Sequence, residues 1–127
     1  MISSRILLST SAIFTGAAGA GATFLPDDLL RHVRQPEAPI LLVFVQTIGA
    51  LYLAFAMLNW MSRGATVGGI YARPLVVANL LHFMMVAILL IRWAAGGAPP
   101  AIAVLAAIYV AFAAGFGMAM FRGPSAR

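Results

Sequence analysis

Residues 101–121 read AIAVLAAIYVAFAAGFGMAMF and contain no charged side chain. A helix needs about 20 mostly apolar residues to cross the hydrocarbon core of a bilayer. The breaker Gly96-Gly97-Ala98-Pro99-Pro100 precedes this run, and proline is tolerated at or just before a first helical turn. Residues 101–121 are therefore predicted to form a membrane-spanning helix.

Three more apolar runs of similar length lie upstream. Residues 6–25 form the first run and stop at Pro26, residues 40–60 form the second, and residues 74–93 form the third. The chain is therefore predicted to be all-α, an integral membrane four-helix bundle. Its predicted single domain is 1–127, with spans at 6–25, 40–60, 74–93 and 101–121.

The composition supports a membrane protein. The chain is 63% hydrophobic and only 9% charged, with a mean hydropathy of +1.00. Soluble domains are usually about 45–50% apolar and about 25% charged. A water-soluble fold of 127 residues could not bury so much apolar surface, because small domains leave about a third of their chain surface exposed.

The residue types exclude several kinds of chemistry. Without cysteine there is no disulfide, thiolate metal site or cysteine nucleophile, and without lysine there is no Schiff base. The net charge of +5 comes from arginines that stand singly beside apolar runs. Such arginines orient and anchor membrane helices, so nucleic acid is not a predicted partner and the lipid bilayer is.

Arginine placement predicts the orientation of the spans. Cytoplasmic loops of membrane proteins carry an excess of Lys and Arg. If both termini are inside, five arginines lie on the cytoplasmic side, whereas the three on the outer side are offset by three carboxylates. We therefore predict a multi-pass protein of the bacterial inner membrane with both termini cytoplasmic. The inner arginines are Arg5, Arg63, Arg73, Arg122 and Arg127, and the outer ones are Arg31, Arg34 and Arg92.

The segment from Pro26 to Pro39 is predicted to lie outside the cell. Leu29, Leu30 and Val33 follow a helical spacing, with Asp27 or Asp28 near the start. We therefore expect a short extracytoplasmic interfacial helix on the membrane surface. The first span has a second interpretation, because a basic lead, an apolar run and the small residues Ala20-Gly21-Ala22 are also typical of a cleaved signal peptide.

Small residues recur at every fourth position in two spans. Such ridges let helix backbones approach closely in lipid, where dispersion and hydrogen bonds drive association. We expect the first and fourth spans to pack tightly, either within one subunit or between subunits. An alanine-rich composition also produces such ridges by chance. The predicted packing residues are Gly16, Gly19, Ala107, Ala111 and Gly115.

A few polar residues interrupt the apolar spans and flank the glycine-rich loop after the second span. They are the candidates for a site that binds a quinone, a lipid or an anionic amphiphile between the second and third spans. His82 has three interpretations: a hydrogen bond to Asn79, Asn59 or Gln46 that locks helices together, a ligand contact, or catalysis. The candidate ligand-binding residues are Asn59, Arg63, Tyr71, Arg73, Asn79 and His82.

No predicted span contains a carboxylate. Ion-coupled transporters and proton pumps commonly relay protons through buried acids, so the sequence argues against both. It also contains no zinc-hydrolase, nucleophile-elbow or P-loop motif. We therefore predict no metal or catalytic residues, leave any cofactor open, and predict a non-enzymatic accessory or assembly subunit. Its partner would be another membrane protein or a second copy of the chain. The alternative function is the ligand-binding protein described above, which could serve as a small redox-associated subunit.

The stretch from Leu58 to Phe83 covers about a fifth of the chain. Its Asn59-Trp60, Arg63-Gly64, Gly68-Gly69-Ile70-Tyr71, Arg73-Pro74, Asn79 and His82-Phe83 resemble a pattern in small uncharacterised bacterial four-helix membrane proteins. In size and layout the whole chain also loosely resembles the DoxX-like group of small membrane proteins. Neither resemblance implies a reaction or carries catalytic residues to this chain.

Overall fold

The computed structural model of the protein describes residues 3–64 and 72–121. Within these ranges the backbone forms helices and no β-strand, which confirms the predicted all-α class. The helices are α1 (Ser4–Phe24), α2 (Pro26–His32), α3 (Pro39–Ser62), α4 (Arg73–Ala95) and α5 (Pro100–Phe121).

Each of the four predicted spans coincides with one of the long helices. These helices contain 21, 24, 23 and 22 residues. At about 1.5 Å per residue they are about 31–36 Å long, which suffices for a hydrocarbon core of about 30 Å. All four are also apolar enough to cross a membrane. The chain is therefore compatible with a small multi-pass membrane protein.

The chain divides into two compact units. The α1–α3 unit comprises residues Leu8–Arg63 and contains most of α1, together with α2 and α3. The α4–α5 unit comprises residues Met1–Leu7 and Gly64–Arg127 and contains the first turn of α1, together with α4 and α5.

In the α1–α3 unit, α1 crosses α3 at two glycines. A methyl carbon placed at the Cβ position of Gly19 would lie 2.8 Å from the Leu53 backbone nitrogen and 2.9 Å from the Gly49 carbonyl oxygen. The same addition at Gly49 would lie 2.7 Å from the Thr23 nitrogen and 2.9 Å from the Gly19 oxygen. These backbones approach so closely because neither glycine has a side chain.

The segment predicted to form an interfacial helix contains the short helix α2, which begins earlier than expected; its placement on the membrane surface stays a prediction. Its N-cap is Leu25, which makes no side-chain capping bond, and Pro26 fixes the first helical turn. Asp27 and Asp28 lie in that first turn rather than at the cap. Carboxylates in a first turn interact favourably with the positive end of the helix dipole. The helix ends before Val33.

Arg34 closes the C-terminal end of α2 in a left-handed backbone conformation, with φ of 56°. The Gln35 N–H donates to the Leu30 carbonyl at 2.9 Å, and the Arg34 N–H donates to the Arg31 carbonyl at 3.0 Å. This is the Schellman pattern, in which glycine usually occupies the left-handed position. The side chain of Arg31 pairs with Asp28 of α2 itself at 3.6 Å and with Glu37, two residues before α3, at 2.8 Å; the second pair links α2 to the segment that leads into α3.

In the α4–α5 unit, two long helices pack along each other across a short turn. The turn follows Ala95, and Gly97 adopts a positive φ of 90° there. Pro100 then opens α5. Large side chains of both helices are buried, among them Val76, Phe83, Tyr109 and Phe116.

Candidate functional site

Three buried polar side chains lie in the α1–α3 unit. Ser11, Thr15 and Asn59 are all fully buried. The Asn59 side-chain amide donates to the Ser11 hydroxyl at 3.1 Å, and that hydroxyl donates to the Leu8 carbonyl at 3.0 Å. The Thr15 hydroxyl donates to the Ser11 carbonyl at 2.7 Å. The bond from Asn59 to Ser11 connects α3 to α1, whereas the two hydroxyls donate within α1; all three bonds satisfy polar groups that would otherwise stay unpaired in an apolar environment.

A second polar contact lies near the other end of the same pair of helices. Gln46 is exposed, and its side-chain amide donates to the Thr23 carbonyl at the end of α1 over 3.3 Å. Four pairings along the helices thus keep one antiparallel register. They are Ser11 with Asn59, Gly16 with Ala56, Gly19 with Gly49 and Leu53, and Thr23 with Gln46 and Gly49.

Asn79 and His82 lie on α4 in the α4–α5 unit. Asn79 is fully buried, and its side-chain amide donates to the Leu75 carbonyl of its own helix at 2.9 Å. His82 is half-buried, and its Nε2 atom is covered by protein. Its ring meets the Phe83 ring edge-on, with centroids 5.1 Å apart, and lies 6.0 Å from the Tyr109 ring.

Phe83 is the centre of an aromatic cluster between α4 and α5. Its ring lies 5.4 Å from Tyr109, 4.8 Å from Phe112 and 5.7 Å from Phe116. Phe83 and Phe116 are fully buried. Offset and edge-on ring pairs at these distances stabilise a helix pair beyond the area they bury, so the neighbours of His82 serve packing.

Arg63 lies just after the end of α3. Its guanidinium carbon is 4.0 Å from the centre of the Trp60 ring, and one of its N–H groups donates to the Trp60 carbonyl at 2.6 Å. Arg73 is the first residue of α4 and is exposed. Tyr71 lies outside the described residues.

The candidate ligand-binding residues fall into two groups. Asn59 and Arg63 belong to the α1–α3 unit, whereas Arg73, Asn79 and His82 belong to the α4–α5 unit. Their convergence on one ligand stays a prediction. Within the described ranges, no group of three or more His, Cys, Asp or Glu residues could hold a metal ion.

The predicted packing residues have different surroundings. Gly19 lies against α3, whereas the sequence predicted the fourth span as the neighbour of the first. Gly16 also lies against α3, since a methyl added there would lie 3.5 Å from Ala56. A methyl added at buried Gly115 would lie 2.8 Å from a methyl carbon of Leu7, which brings the first and fourth predicted spans together at this point.

Ala107 and Ala111 are exposed on the surface of the single chain. Within one chain their small side chains therefore contribute little to packing. For these two residues, packing between subunits stays a prediction.

Sequence reasoning missed Gly49 and the aromatic cluster. Gly49 is a lone glycine inside an apolar span, and such a residue often marks a close approach of two backbones. Tyr109, Phe112 and Phe116 recur at helical spacing, a pattern that predicts one aromatic face.

No protein-family model, curated protein or solved structure matches this chain. The buried hydroxyl and amide groups described above donate within their own helix or to a neighbouring helix. Such groups hold helices together in an apolar environment, and none of the described spans contains a carboxylate that would activate them as acids or bases.

Proposed function

We propose that this chain is a small non-enzymatic integral membrane protein that acts as an accessory or assembly subunit through helix–helix contacts in the membrane. The observation that carries the proposal is the structural use of the buried polar side chains. The Asn59 amide bonds α3 to Ser11 of α1, the Ser11 and Thr15 hydroxyls bond to the backbone of α1, and the Asn79 amide bonds to the backbone of α4.

The position of His82 supports the same proposal. Its Nε2 atom is covered by protein and its ring lies among the aromatic rings of α4 and α5. A general base or ligand-binding imidazole must reach its substrate within hydrogen-bond distance. A quinone at His82 would therefore require the surrounding side chains to move.

The partner contact is expected on α5. Ala107 and Ala111 lie exposed one helical turn apart. Small residues at this spacing allow a second helix to approach closely in lipid, whereas a lipid-facing surface gains nothing from them. A second copy of the chain and a different membrane protein both fit this surface.

Native electrophoresis of membranes dissolved in mild detergent tests the proposal. The 13.3 kDa chain should migrate as part of a larger complex, and Ala107→Leu should reduce that complex at least several-fold. Ala101→Leu is a matched control, because Ala101 is also exposed and lies about 120° around the helix from Ala107. A chain that migrates alone, with correct helical content, would contradict the accessory role.

We also propose that both termini face the cytoplasm of a bacterial inner membrane. The support is the arginine distribution of the sequence, which places five arginines on the cytoplasmic side and three on the outer side in this orientation. Fusion of a phosphatase that is active only in the periplasm should give an inactive protein after Arg127 and an active one after Gln35. The reverse pattern would show the opposite orientation.

The same proposal places α2 on the periplasmic surface of the inner membrane. Phe24, Leu25 and Leu29 expose 75%, 56% and 41% of their surfaces around this helix, which suits the boundary between headgroups and acyl chains. Because the chain has no cysteine, a spin label can be attached at Leu29→Cys and compared with Arg31→Cys on the opposite face. Leu29 should be more accessible to oxygen than to a water-soluble nickel complex, and equal accessibility at both sites would overturn this placement.

A second candidate function is the binding of a lipid, an anionic amphiphile or a quinone. The observation that favours it is Arg63, which lies against Trp60 and has no carboxylate partner among the described residues. For a quinone, titration of a short-chain analogue should give saturable binding that His82→Ala abolishes in a folded protein. Binding that survives His82→Ala would remove His82 from the site.

A further inference from the structure

The guanidinium group of Arg63 is held in one position at the end of α3. It lies over the Trp60 ring at 4.0 Å and donates to the Trp60 carbonyl at 2.6 Å. The ring contact is a cation–π interaction, and the hydrogen bond adds to the longer one of 3.4 Å that the Arg63 backbone N–H donates to the same carbonyl at the helix end. A guanidinium has five N–H donors, so these contacts leave most of them free.

No protein carboxylate balances this charge in the described ranges. The chain has three acidic residues, and all of them precede α3. Asp28 and Glu37 pair with Arg31 near the start of α3, whereas Arg63 follows its last residue. The helix is about 36 Å long, well beyond the reach of an ion pair. The charge of Arg63 is therefore available to an anion from outside the described protein.

The surroundings of Arg63 identify the chemistry of that counter-charge. Arg63 ends an apolar helix of membrane length, where phospholipid headgroups lie, and Trp60 exposes 44% of its surface, as aromatic residues of the interfacial belt do. A planar guanidinium offers two parallel donors to a phosphate, which an ammonium group does not.

We propose that Arg63, positioned by Trp60, binds the phosphate group of an anionic phospholipid. A zwitterionic lipid carries its own cation, which competes with Arg63 for the phosphate, so an anionic headgroup is preferred. The full positive charge of Arg63 outweighs the partial negative charge of about one half at the helix C-terminus. This site rests on the second candidate function, the binding of a lipid, and names its headgroup; it does not depend on the accessory role, which would survive its failure.

Native mass spectrometry of the full chain tests the site. Micelles would contain dioleoylphosphatidylglycerol or dioleoylphosphatidylcholine at equal mole fraction. The protein should retain phosphatidylglycerol in preference, and Arg63→Gln should weaken that retention about tenfold, the effect of losing about 1.4 kcal/mol from a charge-assisted contact. Arg34→Gln is the matched control, because Arg34 is exposed, makes no ion pair among the described residues and has no aromatic contact there. It should retain the lipid as the unmodified protein does.

Two further arms separate the sources of phosphate and the role of Trp60. Inorganic phosphate at millimolar concentration should not displace the lipid, and displacement would show a site for free anions instead. Trp60→Leu should weaken retention two- to fivefold, because the guanidinium is no longer held. If Arg63→Gln does not fold, Arg63→Lys is measured in its place. It keeps the positive charge but lacks the two parallel donors of the guanidinium, so it should still lose most of the preference for phosphatidylglycerol. Equal retention of both lipids, or equal retention by the Arg63 variants and the unmodified protein, would overturn the proposal.

Discussion

Gly19 leaves no room for a methyl group where α1 crosses α3. In Gly19→Ala the new carbon would lie 2.8 Å from the Leu53 nitrogen and 2.9 Å from the Gly49 oxygen. Both are backbone atoms that cannot rotate away, so the helices must separate. We expect the free energy of unfolding to fall by about 1–3 kcal/mol, the usual cost of overpacking. Thermal denaturation in detergent, followed by circular dichroism, measures the change.

Two neighbouring glycines of α1 provide the controls for this substitution. Gly21 has no atom within 4 Å of an added methyl, and Gly16 would meet Ala56 at an ordinary contact distance of 3.5 Å. Both alanine variants should be neutral, or stabilising by up to about 1 kcal/mol, since alanine favours helix more than glycine does. A midpoint for Gly19→Ala equal to that of Gly21→Ala would refute the close crossing.

The hydrogen bond between Asn59 and Ser11 should appear as a measurable coupling. A double-mutant cycle of Asn59→Ala and Ser11→Ala should give about 0.6–1.7 kcal/mol, the range of hydrogen bonds between membrane helices. Reversible unfolding in mixed micelles gives the four stabilities. Thr47→Ala with Asn59→Ala is the control cycle. Thr47 bonds to the Val43 carbonyl of its own helix and lies about 18 Å from Asn59 along α3, so the two changes should not couple. Additive effects in the first cycle, as in the control, would disprove the bond.

The polar residues that interrupt the spans could be recognised from sequence, but their partners could not. Asn59 and Asn79 stand out because an unsatisfied amide in lipid costs several kcal/mol. Which acceptor each finds depends on the register between helices, and on whether the amide turns back to its own helix. Asn79 bonds to the Leu75 carbonyl one turn earlier, and Asn59 bonds to Ser11. Periodicity contains no information about either choice.

The C-terminal end of α2 stores backbone strain at Arg34. A non-glycine residue in the left-handed region costs about 1–2 kcal/mol, which glycine avoids. Arg34→Gly should therefore raise the free energy of unfolding by up to about 1 kcal/mol, measured by thermal denaturation. Gln35→Gly is the control at a position without positive φ. It should be neutral or destabilising, because the glycine only increases the conformational freedom of the unfolded chain. Stabilisation of equal size at both positions would show that the strain is not relieved at Arg34.

The ends of the long helices were predictable because proline and glycine mark them. Pro39, Pro74 and Pro100 lie in the first turns of α3, α4 and α5, and Gly96 caps α4. The neighbour of α1 was not predictable, because a ridge of small residues accepts any helix that offers a matching depression. Gly49 supplies that depression on α3, and only the register of the two helices brings it opposite Gly19.

For the molecule as a whole, composition determines the class and leaves the role open. A 63% hydrophobic chain with four apolar runs has few alternatives to spanning a bilayer. The role depends on which surfaces stay outside the packed helices, and a sequence pattern cannot separate a small-residue ridge that faces a neighbour from one that faces outward. Gly19 is buried against α3, whereas Ala107 on the corresponding ridge of α5 is exposed.

Photo-crosslinking from α5 tests the central claim most directly. A maleimide-linked benzophenone is attached at Met118→Cys in the otherwise cysteine-free chain and activated in native membranes. Met118 is exposed and lies only about 20° around α5 from Ala107, so the label borders the proposed contact without adding bulk at Ala107 itself. The control is Ile108→Cys, because Ile108 is also exposed and lies about 80° around the same helix from Met118. The accessory role predicts a protein adduct at Met118, as a second copy or a larger partner, and mainly lipid adducts at Ile108. Lipid adducts alone at both positions would contradict it.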